Sequence, residues 1–116
     1  MPFQIIRNDI TKVSADAIVN TANPKPIVGS GTDSAIYNAA GENKLLAARQ
    51  AIGDIEPGQA VHTAAFRLKA KYIIHTVGPV WVYGKHGEKD ILRSCYANSL
   101  ALADKLKCKS VAFPLI

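Results

Sequence analysis

The segment Lys71-Tyr72-Ile73-Ile74-His75-Thr76-Val77 has a consecutive apolar stretch, Tyr72-Ile73-Ile74, with Val77 beyond it, and is closed by Gly78-Pro79. A strand with one face in water alternates apolar and polar residues. This run does not, and it reads as a central strand of a sheet. Ala17-Ile18-Val19 is a second, shorter run of the same kind. Helical periodicity separates and follows them. Thr32 or Asp33 is placed to cap a helix that runs to Ala40 and stops at Gly41. Leu45, Leu46, Ala48, Arg49 and Ile52 continue a second helical face as far as Gly53.

The longest helix is expected from Glu88 to Leu106, where Ile91, Leu92, Cys95, Tyr96, Leu100, Ala103 and Leu106 recur at helical spacing. Acidic residues open it and Lys105 closes it, as the helix dipole favours. Further short strands are expected at Phe3 to Arg7, at Ala60 to Thr63 after the Pro57-Gly58 turn, and at Ser110 to Ile116. Strands interleaved with helices make an α/β protein.

With 116 residues there is room for one domain and one core, and 48% apolar against 20% charged residues excludes disordered and fibrous classes. No apolar stretch approaches the roughly 20 residues that span a bilayer, and Met1-Pro2-Phe3-Gln4 lacks the layout of a signal peptide. A cytoplasmic protein without a membrane partner is expected. Cys95 and Cys108 have neither disulfide-framework nor zinc-ribbon spacing and read as packed thiols. His62 and His86 have no partner at metal-ligand spacing, so no metal site and no cofactor is expected. The net charge of +5 is spread along the chain, with small concentrations at Arg67, Lys69 and Lys71 and at Lys105, Lys107 and Lys109. These read as solvated faces rather than a nucleic-acid surface.

Chemistry concentrates between Asn20 and Gly41. Gly29-Ser30-Gly31-Thr32-Asp33 precedes a helix. Glycines there let backbone amides turn inward, and the helix adds its positive end, an arrangement suited to a phosphate. The alternative is an unliganded glycine-rich loop with a helix cap, since the pattern is neither a Walker loop nor a dinucleotide fingerprint. Asp33 would be repelled by a neighbouring diphosphate, which points to a carboxylate that orients or deprotonates water. Asn20 and Asn23 each donate and accept, suiting them to sugar hydroxyls or to holding the loop, with Asn20 nearer the strand and so the more structural. Asp9 can accept from an adenine amino group or serve only as a turn carboxylate. His75 reads as a satisfied core histidine, and Trp81 and Tyr83 as a cover for the core edge.

Seven segments together carry a resemblance that covers essentially the whole chain: Asn8-Asp9-Ile10-Thr11, Ala15 to Asn23, Gly31-Thr32-Asp33, Ala39-Ala40-Gly41, Pro57 to Ala60, Lys71 to Pro79 and Ser94 to Leu100. In their order and spacing the chain resembles a macrodomain, the ADP-ribose-binding fold, and within it the MacroD-like hydrolytic branch. The resemblance implies a mixed β-sheet flanked by helices in a three-layer sandwich, with ADP-ribose at the strand ends. By position, Asp9 and Ile10 would meet the adenine and Asn23 the distal ribose. Gly29, Ser30, Gly31 and Thr32 would meet the diphosphate and nearby sugar.

Asn23 and Asp33 match the pair associated with removing ADP-ribose from carboxylate side chains or deacetylating O-acetyl-ADP-ribose, and Asn20 joins the ligand-binding set. Val28, Ser30, Thr32 and Ser34 stand where that branch usually has glycines and a valine. The family's second phosphate loop follows the strand matching Ser110 to Ile116. A single domain, 1–116, incomplete at its C-terminal end is therefore expected, with weak ADP-ribose binding and self-association through the incomplete edge. The expected partners are ADP-ribose, ADP-ribosylated protein or O-acetyl-ADP-ribose. The alternatives are a non-catalytic ADP-ribose reader and an inactive fragment.

Overall fold

A computed structural model describes residues 3–80, 84–85 and 87–116. Four strands form one mixed sheet in the order β2-β3-β1-β4: β1 (Ala17–Thr21), β2 (Ala60–Ala64), β3 (Tyr72–Thr76) and β4 (Val111–Ala112). β1 runs parallel to both β3 and β4, and β2 runs antiparallel to β3. The two runs without alternation, β1 and β3, occupy the centre and are paired along their whole length, Ala17 with Tyr72 through Thr21 with Thr76.

Their side chains divide between two buried faces because successive residues of a strand point to opposite sides. Ile18 and Ile73 pack with Ile36, Tyr37 and Ala40 of α1 (Thr32–Ala40) and Leu45 of α2 (Glu42–Ile52). Ala17, Val19 and Ile74 pack on the other face with Leu102 and Ala103 of α3 (Glu88–Lys105). The result is three layers, helices on both sides of a mixed sheet. Each fully buried isoleucine at this centre contributes about 1.5–3 kcal/mol over an exposed one.

α1 and α2 share a single junction residue. Gly41 has φ of +111° and ends α1 through its N–H to Tyr37 O, and its own carbonyl accepts from Leu45 N of α2. Such a sharp change of direction in one residue needs a backbone without a Cβ. Cys95 lies buried in α3, donating its thiol to Val77 O at 3.1 Å, and both cysteines are free.

Three expectations from sequence are corrected. Phe3 to Arg7 forms no strand: Phe3 and Ile5 are 89% and 85% exposed, and no described neighbour offers a ladder to their backbone groups. Apolar content alone does not make a strand when the N–H and C=O groups have no partner. At the other end only Val111–Ala112 pairs, because Pro114 has no N–H to continue a ladder. Finally, the N-cap of α1 is Gly31 rather than Thr32 or Asp33, and no side chain bonds to that helix end. Trp81, Tyr83 and His86 lie outside the described residues.

Candidate functional site

The C-terminal end of β1 sends Asn20 to the same face as Ile18, where the start of α1 lies. Asp33, in the first turn of α1, is only 3% exposed. Its Oδ1 accepts from Asn20 Nδ2 at 2.7 Å and its Oδ2 from the Gly29 N–H at 2.6 Å. Both carboxylate oxygens are thus anchored, one to the sheet and one to the loop before the helix. Each keeps further acceptor capacity.

Behind Asn20 the hydrogen bonding continues into the sheet. Asn20 Nδ2 lies 3.1 Å from His75 Nδ1, and His75 Nε2 lies 3.0 Å from Thr63 Oγ1, whose hydroxyl donates to Ala64 O at 2.9 Å. One polarity satisfies the whole line. Thr63 spends its proton on Ala64, so it accepts from His75 Nε2–H, and Nδ1 then accepts from Asn20. His75 is neutral in this arrangement: burial foremost, with the Arg49 and His62 charges, depresses its pKa from 6.5 to about 3. Both Asn20 amide protons are committed, one to His75 and one to Asp33, which fixes how the carboxamide is turned.

Asn23 enters the same spot from the loop after β1. A Cβ placed on Gly29 would run into the Asn23 side-chain amide and would come within 3.1 Å of Asp33 Oδ2. Glycine at position 29 is therefore what lets Asn23 and Asp33 sit side by side. Ser30 and Gly31 are exposed directly before α1, at the helix end where backbone N–H groups and the dipole favour an anion.

Asp9 and Ile10 approach this face as a short 3-10 turn, Ile10–Lys12, packed on α1. Ile10 rests on the cluster around Ile18 and Ile36 together with Val28. The Asp9 carboxylate accepts at Oδ1 from both the Thr11 hydroxyl (2.7 Å) and the Thr11 N–H (2.9 Å). These bonds, the hydroxyl first, hold its pKa below the usual carboxylate value. It is exposed and serves its own turn in this geometry. Among the described residues, no group of three or more His, Cys, Asp and Glu side chains could hold a metal ion.

Three residues were not singled out for this site from sequence. Thr63 and His75 belong to it through strand register, since His75 stands opposite Asn20 and Thr63 opposite Ile73. Arg49 belongs through α2: it is fully buried, with Nη2 at 3.4 Å from Asn23 O and 3.5 Å from Gly53 O. Its spacing of four from buried Leu45 placed it on the inner face of α2, but its charge gave no reason to associate it with Asn23.

The family model for the Macro domain matches residues 19–116. An O-acetyl-ADP-ribose deacetylase of Citrobacter rodentium is 50% identical over 117 residues, covering 98% of this chain and 66% of that protein. A macro domain-containing protein of Chlorobaculum tepidum is 50% identical over 111 residues, 96% of this chain and 64% of that protein. The chain thus spans somewhat under two thirds of these relatives' length. Among solved structures, a macrodomain of Oceanobacillus iheyensis with ADP superposes with a TM-score of 0.89 at 38% identity, covering 94% of this chain and 60% of that one. A Trypanosoma brucei macrodomain in complex with ADP gives 0.81 at 37% identity, covering 90% and 42%.

Proposed function

The chain belongs to the macro domain family, and from that premise we propose that it binds ADP-ribose at the Asn20–Asp33 face and takes part in hydrolysing O-acetyl-ADP-ribose or ADP-ribosyl esters. The observation that carries this reading is the Asp33 carboxylate, held by Asn20 and the Gly29 N–H with the Asn23 amide packed against the same glycine. Relatives named O-acetyl-ADP-ribose deacetylase and neighbours solved with ADP support it.

In this reading Asn23 fixes the distal ribose. The Gly29 N–H is engaged by Asp33, so the diphosphate falls to the Ser30, Gly31 and Thr32 amides and the end of α1. Asp9 and Ile10 lie on the adenine side. Asp33 accepts a proton from a water molecule as its hydroxyl adds to the ester carbonyl carbon. Collapse then breaks the bond to the ribose oxygen, which takes up a proton, leaving ADP-ribose and the free acid. A carboxylate whose two oxygens are fixed from behind is ready to orient that water without rearranging.

The compartment proposed is the cytoplasm. Among the described residues no helix is long and apolar enough to cross a membrane. The outer side of β4, with Leu115 97% exposed beyond it, is the edge through which copies would self-associate.

The test is hydrolysis of O-acetyl-ADP-ribose alongside calorimetric binding of ADP-ribose, with wild type and Asp33→Ala. Turnover lost in the variant while binding survives supports the enzyme. Binding by wild type with no turnover at any enzyme concentration makes the chain a reader instead.

A further inference from the structure

Arg49 is a cation placed where few cations go. It is fully buried on the inner face of α2, and no carboxylate among the described residues lies within ion-pair distance of it. Its Nε and Nη1 have no acceptor among those residues, and the contacts of Nη2 with Asn23 O and Gly53 O are long. A desolvated guanidinium with so little compensation works against stability, and an unbranched apolar side chain would fill the same space at lower cost.

What Arg49 touches gives its role. Three consecutive residues of the loop after β1 are tied to the last turn of α2 and the segment just after it: Asn23 O to Arg49, Pro24 O to the Ile55 N–H at 2.8 Å, and Lys25 Nζ to Asp54 Oδ2 at 2.7 Å. The last pair is exposed and contributes little. Of the three ties, only that of Arg49 acts on the residue whose side chain meets Gly29 beside Asp33. The guanidinium also reaches the Tyr37 phenol. The Tyr37 phenol, raised in pKa first by burial, is pushed further up by Asp33 and pulled back by Arg49, so both charges reach the same buried group.

We propose that Arg49 is a positioning residue that holds the Asn23 carbonyl from behind the loop and so sets the Asn23 carboxamide for the distal ribose of ADP-ribose. The proposal rests on the ADP-ribose reading of the site. It predicts an effect on the ligand that has a distal ribose and none on the ligand that lacks one.

The experiment compares this chain with its Arg49→Met and Arg49→Lys variants in three measurements: thermal denaturation, backbone hydrogen exchange in residues 23–28, and calorimetric affinity for ADP-ribose and for ADP. For Arg49→Met the expected result is an unchanged or higher Tm and exchange in that loop faster by roughly tenfold. ADP-ribose affinity falls by roughly tenfold, toward that of ADP, while ADP affinity stays put. Arg49→Lys, which keeps one donor and the charge, restores part of the loss.

Unchanged loop exchange together with an unchanged ADP-ribose to ADP ratio in Arg49→Met overturns the proposal. So does a lowered Tm with both nucleotides weakened equally, which makes Arg49 merely structural. Wild type that binds neither nucleotide overturns the ADP-ribose reading, and loop exchange then decides on its own whether Arg49 holds Asn23.

Discussion

Asn20 and His75 stand directly opposite one another on the parallel strands β1 and β3, and the Asn20 amide nitrogen lies 3.1 Å from His75 Nδ1. Through this pair the interior of the sheet reaches the Asp33 carboxylate. A neutral imidazole takes one amide proton, so the other is directed at Asp33 Oδ1. If His75 were charged, both ring nitrogens would carry protons and Nδ1 would face the donor Asn20 Nδ2 with no lone pair to offer.

Stability should therefore fall with acid in a window set by His75. Its folded pKa is about 3 against 6.5 for the ordinary side chain. Between those values the unfolded chain binds a proton that the folded chain does not, so stability rises with pH, complete above about 6.5 and progressively lost toward pH 3. The loss attached to this one group is on the order of 3–5 kcal/mol. Urea unfolding from pH 7 to pH 4.5 should show about half of it, and His75→Gln should bring the slope near pH 5 down by about one proton.

Asn20→Leu keeps the volume and removes both donors. It leaves His75 Nδ1 and Asp33 Oδ1 without their partners in a site with no exposure at Asn20. The expected destabilisation is roughly 1–3 kcal/mol for each orphaned group, read from the midpoint of urea unfolding. A variant as stable as wild type would mean that these bonds do not anchor the strand end.

Gly29→Ala should act on binding more than on the fold. The added methyl meets the Asn23 amide and crowds Asp33 Oδ2, so the loop carrying Asn23 has to shift. Overpacking of this kind costs about 1–3 kcal/mol of stability. ADP-ribose affinity measured by calorimetry should drop more than the change in Tm accounts for.

Asp33→Ala should lower turnover of O-acetyl-ADP-ribose by at least about 10²-fold, the lower range for loss of a general base, with a smaller change in ADP-ribose affinity. Asp33→Asn should lose turnover as well. One of its two side-chain positions would present N–H to a donor, either Asn20 Nδ2 or the Gly29 N–H, so a loss of stability accompanies it. Full turnover by either variant removes Asp33 from the mechanism.

The helices and the central strands were legible because their signals are local: apolar spacing in α1, α2 and α3, glycines at positions 41 and 53, and unbroken apolar runs in β1 and β3. Phe3 to Arg7 carried a similar apolar signal and forms no strand, since pairing depends on a neighbour that no local pattern encodes. Ser110 to Ile116 carries the same apolar signal but pairs only at Val111–Ala112, since Pro114 has no N–H to offer a ladder. In the site, the Asn23 and Asp33 pair was visible as a motif. The line from Thr63 through His75 to Asn20 was not, because it exists only once strand register is known. Arg49 was hidden for a different reason: a charged residue on an inner helix face has meaning only through the backbone carbonyl it meets.

The central claim, that Asn20, Asn23, Gly29 and Asp33 form the face that receives ADP-ribose, is tested most directly by titrating the isotope-labelled chain with ADP-ribose and following backbone and side-chain amide resonances by NMR. The account predicts saturable shifts concentrated at Asp9–Thr11 and from Thr21 to Asp33, including the Asn23 side-chain amide, and their loss in Gly29→Ala. A folded chain whose resonances there stay still, or shift only elsewhere, contradicts it.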